Sequence, residues 1–256
     1  MNGNTYAFLD GGGEMGSLIR NFDWSKTSLG SPAEWPSSLR TTLSIILNSK
    51  FPMFLYWGKD LISFYNDAFR PSLGNHGKHP SILGMRGDEV WAESWHFVGP
   101  MLEDVIAGVE VPLVKDQLLA NYRNGRVEDV YWTFSYSPVK NDSGKVEGVL
   151  VTCIETTSSV LDQHNISKIA EEYKALSDNT PDLISRWDSQ YRLKYANIAF
   201  VNKVGNVVGK DNSQMGQPEH VASEFQKALK KVFDSGLPIE HFNVVHSDTT
   251  KAYYHM

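Results

Sequence analysis

Asn66-Asp67-Ala68-Phe69 with Gly74, and Asn197-Ile198-Ala199-Phe200 with Gly205, are one phrase written twice. Both read N-x-A-F-x-x-x-x-G, and each follows a strand-like run ending near a tyrosine, Tyr65 or Tyr195. The match continues in the same order downstream. Leu83-Gly84 answers Val208-Gly209, and Ala107-Gly108-Val109-Glu110-Val111 answers Ser235-Gly236-Leu237-Pro238-Ile239. Val130-Tyr131-Trp132 answers Ala252-Tyr253-Tyr254. The offset shrinks from 131 residues (Asn66 to Asn197) to 122 (Val130 to Ala252), the drift that changes of loop length produce. Four matches in one order mark two copies of one domain type. In that alignment Met256 falls on Phe134, so the second copy lacks a counterpart of 135–155. The sequence is therefore expected to be part of a longer protein that continues past Met256.

The motif itself is a scaffold. An Asn leaving a strand caps the helix that follows, its side-chain oxygen accepting an exposed backbone N–H. Ala and Phe turn inward, and Gly permits the positive φ where the helix stops. None of Asn66, Phe69, Gly74, Asn197, Phe200 or Gly205 supplies a nucleophile, base or metal ligand.

Working outward from Asn66, residues 53–57 and 61–65 read as a hairpin across Gly58-Lys59-Asp60. A glycine-punctuated helical region follows, then a helix over 100–107 that starts at Pro100 and ends at Gly108. Strand-like runs occupy 111–120, 127–139 and 145–155, the last two joined by the turn Asn141-Asp142-Ser143-Gly144. Upstream, 1–30 is rich in Gly, Ser, Asn and Asp and reads as a loosely structured lead-in. Gly11, Gly13 and Gly16 match G-x-G-x-x-G there, but Phe22-Asp23-Trp24-Ser25 interrupts any long helix and no acid stands where a dinucleotide site needs one, so a turn is expected. Ser31-Pro32-Ala33-Glu34 resembles a capping box, and Leu39, Leu43, Ile46 and Leu47 give an amphipathic helix over 32–48, unless Pro36 sets the true start. Over 157–177, Ile166, Ile169, Tyr173 and Leu176 keep the a/d rhythm of either a connecting helix or a dimer seam. The expected organisation is a lead-in (1–30), a first domain with its N-terminal helix (31–156), a helical linker (157–177) and an incomplete second domain (178–256), all of α+β class.

Composition excludes several functions. The 256 residues carry 24 Lys and Arg against 30 Asp and Glu, a net charge of -6, which leaves no electrostatic footprint for nucleic acid or anionic lipid. A single cysteine, Cys153, rules out a disulfide framework or a Cys-rich zinc module. The N-terminus lacks a signal-peptide pattern, and no run reaches the ~20 apolar residues of a membrane span. A cytoplasmic location is expected.

The second copy resembles the S-box form of the PAS domain in Asn179-Thr180-Pro181-Asp182-Leu183-Ile184, Arg186-Trp187-Asp188 and Tyr195-Ala196-Asn197. The first resembles PAS sensors of bacterial histidine kinases. The residues that carry this are Gly13-Glu14-Met15-Gly16, Asp23-Trp24-Ser25, Thr27-Ser28-Leu29-Gly30, Trp35-Pro36-Ser37-Ser38-Leu39, Phe64-Tyr65-Asn66-Asp67-Ala68, Gly99-Pro100-Met101-Leu102 and Phe134-Ser135-Tyr136-Ser137-Pro138-Val139. The resemblance implies two PAS-like domains, each a five-stranded antiparallel sheet with helices on one face around a small-molecule cavity, the second truncated, joined by a helix. It implies that signal leaves the last strand at a D-I-T-like element, here Glu155-Thr156-Thr157, whose acid is one methylene longer than usual. Pocket candidates are Trp91, Trp95, His96 and Phe134.

No cofactor is named. The N-C-R-F-L-Q-like stretch of flavin photosensors is absent, and Cys153 reads as a small core residue. The helix at 100–107 offers no axial His for haem, and His96 reads as a hydrogen-bonded core residue. His76 and His79 lack further ligands at metal spacing, so no metal site is expected. His164 lacks the acid, Arg and Pro of a phosphoacceptor helix, and no catalytic domain lies in these residues. The resemblance implies the input region of a two-component sensor histidine kinase. It would bind a small molecule, dimerise through helices and feed a kinase core beyond residue 256, with a response regulator downstream in the phosphorelay. The alternative is a ligand-free interaction and dimerisation module, its exposed sheet face and lead-in helix forming the functional surface. Such a module would belong to another signalling protein, such as a cyclic-di-nucleotide enzyme or transcriptional regulator.

Overall fold

The structure, a computed structural model, describes residues 6–216, 218–237, 242–247 and 250–255. The chain divides into two compact units, 1–163 and 164–256.

The first unit is an α+β fold on a five-stranded antiparallel sheet. Strands β1 (Met53–Trp57) and β2 (Ile62–Tyr65) form the expected hairpin. β3 (Val114–Arg123), β4 (Arg126–Lys140) and β5 (Val146–Glu155) form a meander. The order across the sheet is β2-β1-β5-β4-β3. β5 is the bridge: it pairs with β1 on one side and β4 on the other. The β3–β4 turn is Asn124-Gly125, both at positive φ (54° and 78°), the backbone a tight hairpin needs.

Both faces of the β1–β2 half are covered. On the first face, α3 (Gly87–Val90) and α4 (Trp95–Ile106) pack with Phe54, Tyr56 and Tyr65 behind them. The other face carries the segment expected to be a loose lead-in, which the structure corrects. Residues Ala7–Leu9 form a 3-10 turn, α1 spans Gly13–Asn21 and α2 spans Ser37–Asn48. Leu9, Met15, Ile19, Trp24 and Trp35 are buried in the core. Phe64 on β2 stacks on Trp24 (5.0 Å between centroids) and meets Trp35 edge-on at 5.6 Å. Burying each of these side chains is worth about 2 kcal/mol relative to exposure, which explains why a polar-looking segment folds down.

The G-x-G-x-x-G stretch is the start of α1, and its anion is internal. The Asp67 carboxylate accepts from the N–H groups of Glu14 (2.9 Å) and Met15 (2.8 Å), so the helix N-terminus is already capped. A Cβ on Gly13 would fall 1.9 Å from Asp67 Oδ2.

Two helix starts differ from expectation. Pro32–Glu34 is a separate 3-10 turn capped by Ser31, and α2 begins only at Ser37. Trp35 precedes Pro36 and is extended (ψ 138°), the conformation a following proline favours. Conversely, α4 starts at Trp95 and carries Pro100 inside. Pro100 and His96, the residue whose carbonyl loses its helical donor, are both exposed, so water can take that place.

The second unit begins within α5 (Thr157–Asn179), which has no buried residue along its length. It continues through β6 (Ser185–Trp187), β7 (Leu193–Ala196), α6 (Ile198–Val204), α7 (Glu219–Ser235), β8 (Phe242–Ser247) and β9 (Thr250–His255). Instead of one truncated sheet, β6–β7 and β8–β9 are two separate antiparallel pairs. The first unit shows why: its corresponding pairs are joined only through β5, and no described strand of the second unit takes that position. The matched residues Pro238, Ile239 and Met256 lie outside the described residues.

Candidate functional site

The repeated Asn builds the same hub twice. Asn66 Oδ1 accepts from the N–H of Phe69 and of Met53, both at 3.0 Å, and its Nδ2 donates to the carbonyls of Ile46, Ser49 and Phe51. Asn197 Oδ1 accepts from Phe200 and Ile184, again at 3.0 Å, and its Nδ2 donates to Ser177 and Asp182. The bonds to Ile46 and Ser177 span 20 residues, those to Phe51 and Asp182 span 15, and those from Met53 and Ile184 span 13. One side chain thus caps the following helix and ties it to the strand and helix before it. Gly74 and Gly205 close the motif at φ of 68° and 90°. Asn66 and Asn197 are completely buried.

In the first unit the hub carries Phe69 into the wall of a cavity of about 70 Å³ between the sheet and α3–α4. Its lining includes Phe54, Tyr56, Trp91, Trp132, Phe134, Tyr136 and Cys153, with Ser94, Val98 and Asn121, and it is almost wholly apolar. Of the four sequence-chosen pocket residues, Trp91 and Phe134 line it. Trp95 instead packs against Gly87 and Gly99, and His96 is exposed, which corrects its reading as a core histidine. Its place on the outer side of α4 turns it away from the tryptophans that flank it in sequence. Burial pushes the Cys153 thiol up to about 12 and the Tyr56 and Tyr136 phenols upward as well, so none of these groups ionises near neutrality. Cys153 is a protonated, inert wall residue.

Sequence reading missed Lys78, Glu93, Asn121 and Arg123. Lys78 Nζ lies 4.3 Å from the centroid of the Trp91 ring, donates to the Val90 carbonyl at 2.6 Å and pairs with Glu93. Glu93 also accepts from the Tyr122 N–H on the edge strand β3 at 2.7 Å, so it ties the segment covering the cavity to the sheet. Burial lowers the Lys78 pKa despite its partner. Burial also opposes the charge on Glu93, but Lys78 and the Tyr122 N–H together overcome it, so its carboxyl stays below the usual range.

Asn121 and Arg123 were legible in one respect: Asn124-Gly125 signals a hairpin that extends β3 past 120. Arg123 grips Glu155 with two bonds (Nη1–Oε2 2.7 Å, Nη2–Oε1 3.0 Å) and Glu128 with a third at 2.8 Å. The extra methylene of Glu155 therefore does not forfeit the contact with the domain's edge. Thr156 N–H donates to the Tyr131 carbonyl at 2.8 Å, and Thr157 Oγ1 accepts from the Tyr131 N–H at 3.0 Å. The junction 155–157 is thus fastened to both β3 and β4. On α5 beyond it, Ile166, Ile169, Tyr173 and Leu176 are all exposed, at 51–71%.

His79 joins a separate polar cluster: its Nδ1 is 2.8 Å from the Tyr65 hydroxyl and its Nε2 3.4 Å from Glu14, which also pairs with Arg70. His76 lines a shallow polar cleft with Asp67, Arg70 and Arg123. Among the described residues no three His, Cys, Asp or Glu side chains gather as a metal site, and no helix is long and apolar enough to cross a membrane.

The chain matches no protein-family model, and no curated protein matches its sequence. Solved structures with likeness to it include an RNA-binding light-oxygen-voltage receptor (TM-score 0.36, 19% identity, 49% of this chain and 34% of that one). The light-oxygen-voltage domain of a blue-light activated histidine kinase from Erythrobacter litoralis EL346 gives a TM-score of 0.32 at 15% identity, covering 42% and 96%. The PAS domain of Bordetella pertussis BvgS gives 0.32 at 14%, covering 53% and 99%. The chain spans about a third of the light-oxygen-voltage receptor's length.

Proposed function

We propose that this chain is the sensory input region of a two-component sensor histidine kinase, built from tandem PAS-type domains. The first binds a small molecule in the aromatic cavity, and the result passes through α5 toward a kinase core and its response regulator. One observation carries this reading. Asn121 and Cys153 line the cavity, and two residues further along the same strands Arg123 and Glu155 grip each other at the root of α5. A ligand that moves β3 relative to β5 acts directly on that grip, biasing two arrangements of the junction. The exposed stripe on α5 fits a homodimer in which two such helices pair.

The residues given hold no phosphoacceptor motif, so purified 1–256 incubated with labelled ATP remains unlabelled; labelling on His164 would contradict the assignment. Native mass spectrometry of the same protein is expected to show a dimer that retains or takes up a small molecule. A dimer that takes up nothing would favour a ligand-free interaction module, to which the exposed Leu118, Tyr122, Val127 and Ile154 would lend a surface.

A further inference from the structure

The cavity is apolar, yet two polar atoms in its wall are unanswered. Asn121 is 2% exposed, and its Nδ2 spends itself on the Ser72 carbonyl (3.5 Å) while Oδ1 is buried with no hydrogen-bond partner. The Nε1 of Trp91 is likewise buried and unpartnered. Leaving such a group unsatisfied costs about 1–3 kcal/mol, so a wall with one orphan acceptor and one orphan donor is built for an occupant that supplies the complements.

Charge narrows the occupant. No lining residue is ionised near neutrality, and the nearest charges, Lys78 and Glu93, are paired with each other. An anion would enter a low-dielectric site with no countercharge. A cation would compete with the Lys78 ammonium already stationed on Trp91. Shape narrows it further: aromatic rings on several sides favour a flat ring that stacks or meets edges. At about 70 Å³ the space exceeds the roughly 10–15 Å³ that one water needs by several-fold.

Building on the receptor reading above, we infer that the cavity takes a neutral, single-ring aromatic molecule bearing a hydroxyl or ring N–H. Its hydrogen is donated to Asn121 Oδ1, and an acceptor on the same molecule receives the Trp91 Nε1–H.

Phenol and toluene test this, since they share a shape and differ only in the hydroxyl. Titrated into the purified chain and followed by tryptophan fluorescence and ligand-observed NMR, phenol is expected to bind at least about tenfold more tightly than toluene, the worth of one satisfied buried hydrogen bond. Asn121→Leu should remove or reverse the preference, and the wild-type comparison stands even where that variant folds poorly. Equal or tighter binding of toluene would overturn the polar assignment while leaving the cavity a ligand site. Tighter binding of benzoate or of phenyltrimethylammonium would overturn neutrality. Binding of none of the four would overturn the receptor reading as well. A crystal structure with waters on Asn121 Oδ1 and Trp91 Nε1 that phenol does not displace would overturn the inference by showing water as the occupant.

Discussion

The two units share a hub and differ in what surrounds it. Around Asn66, β5 bridges two strand pairs into one sheet, and the lead-in covers the sheet's second face with Met15, Ile19, Trp24 and Trp35. Around Asn197 the strand pairs stay apart, and the buried cluster of the second unit centres on Leu193, Phe200 and Val207. The same local motif therefore fixes a strand–helix corner in both places but closes a cavity in only one. Closure is the work of the bridge and the cover.

The largest test separates the hubs. Asn66→Ala strips partners from five backbone groups, and the loss should be about 4 kcal/mol, several such groups being left unanswered together. Asn197→Ala should melt the second unit and leave the first unit's urea transition unchanged. Tryptophan fluorescence reports this directly, because Trp187 is the sole tryptophan of 164–256. A single transition shifted equally by both variants would contradict the independence of the two units.

Next in size is the cover. Gly13→Ala places a methyl on the Asp67 carboxylate at φ 61° and should cost about 2 kcal/mol by uncapping α1 and straining its start. Limited proteolysis of the variant should cut within 1–30 first. Unchanged stability would mean that the lead-in does not hold the first unit together.

What sequence conveyed and what it did not follow the same division. The hub, the β1–β2 hairpin and the Asn141–Gly144 turn are encoded by neighbours in sequence, where side-chain caps and turn residues act over a few positions. The cover was not legible, because Met15 and Ile19 sit among glycines and polar residues and take meaning only once Trp24 and Trp35 meet Phe64. The cavity was half legible: Trp91 and Phe134 stand out as aromatics, whereas Asn121 matters only because pairing aims it inward from β3. His96 misled because its flanking tryptophans look like a core, and a helix period turns it outward.

A smaller effect concerns the junction. Arg123→Gln gives up the grip on Glu155 and should lower the first unit's stability by about 2 kcal/mol. Amide exchange at Thr156 should speed up, with 185–196 unaffected. The smallest effect is the response to acid. Glu93 has a depressed pKa in the folded chain, so its contribution is present above the ordinary carboxylate value of 4.5 and fades as pH falls through and below it. Being part-exposed, the pair should be worth at most about 1 kcal/mol, and Glu93→Gln should flatten that share of the acid limb of the first unit's stability curve.

The most direct measurement is amide hydrogen exchange of residues 1–256 with and without saturating phenol. Occupancy of the cavity should slow exchange along β3 and β5 and at Thr156 and Val160, whose N–H groups donate to Tyr131 and Thr156, where α5 begins. Slowing confined to 185–237, or no change at the start of α5 while the cavity is filled, would contradict a receptor that speaks through that helix.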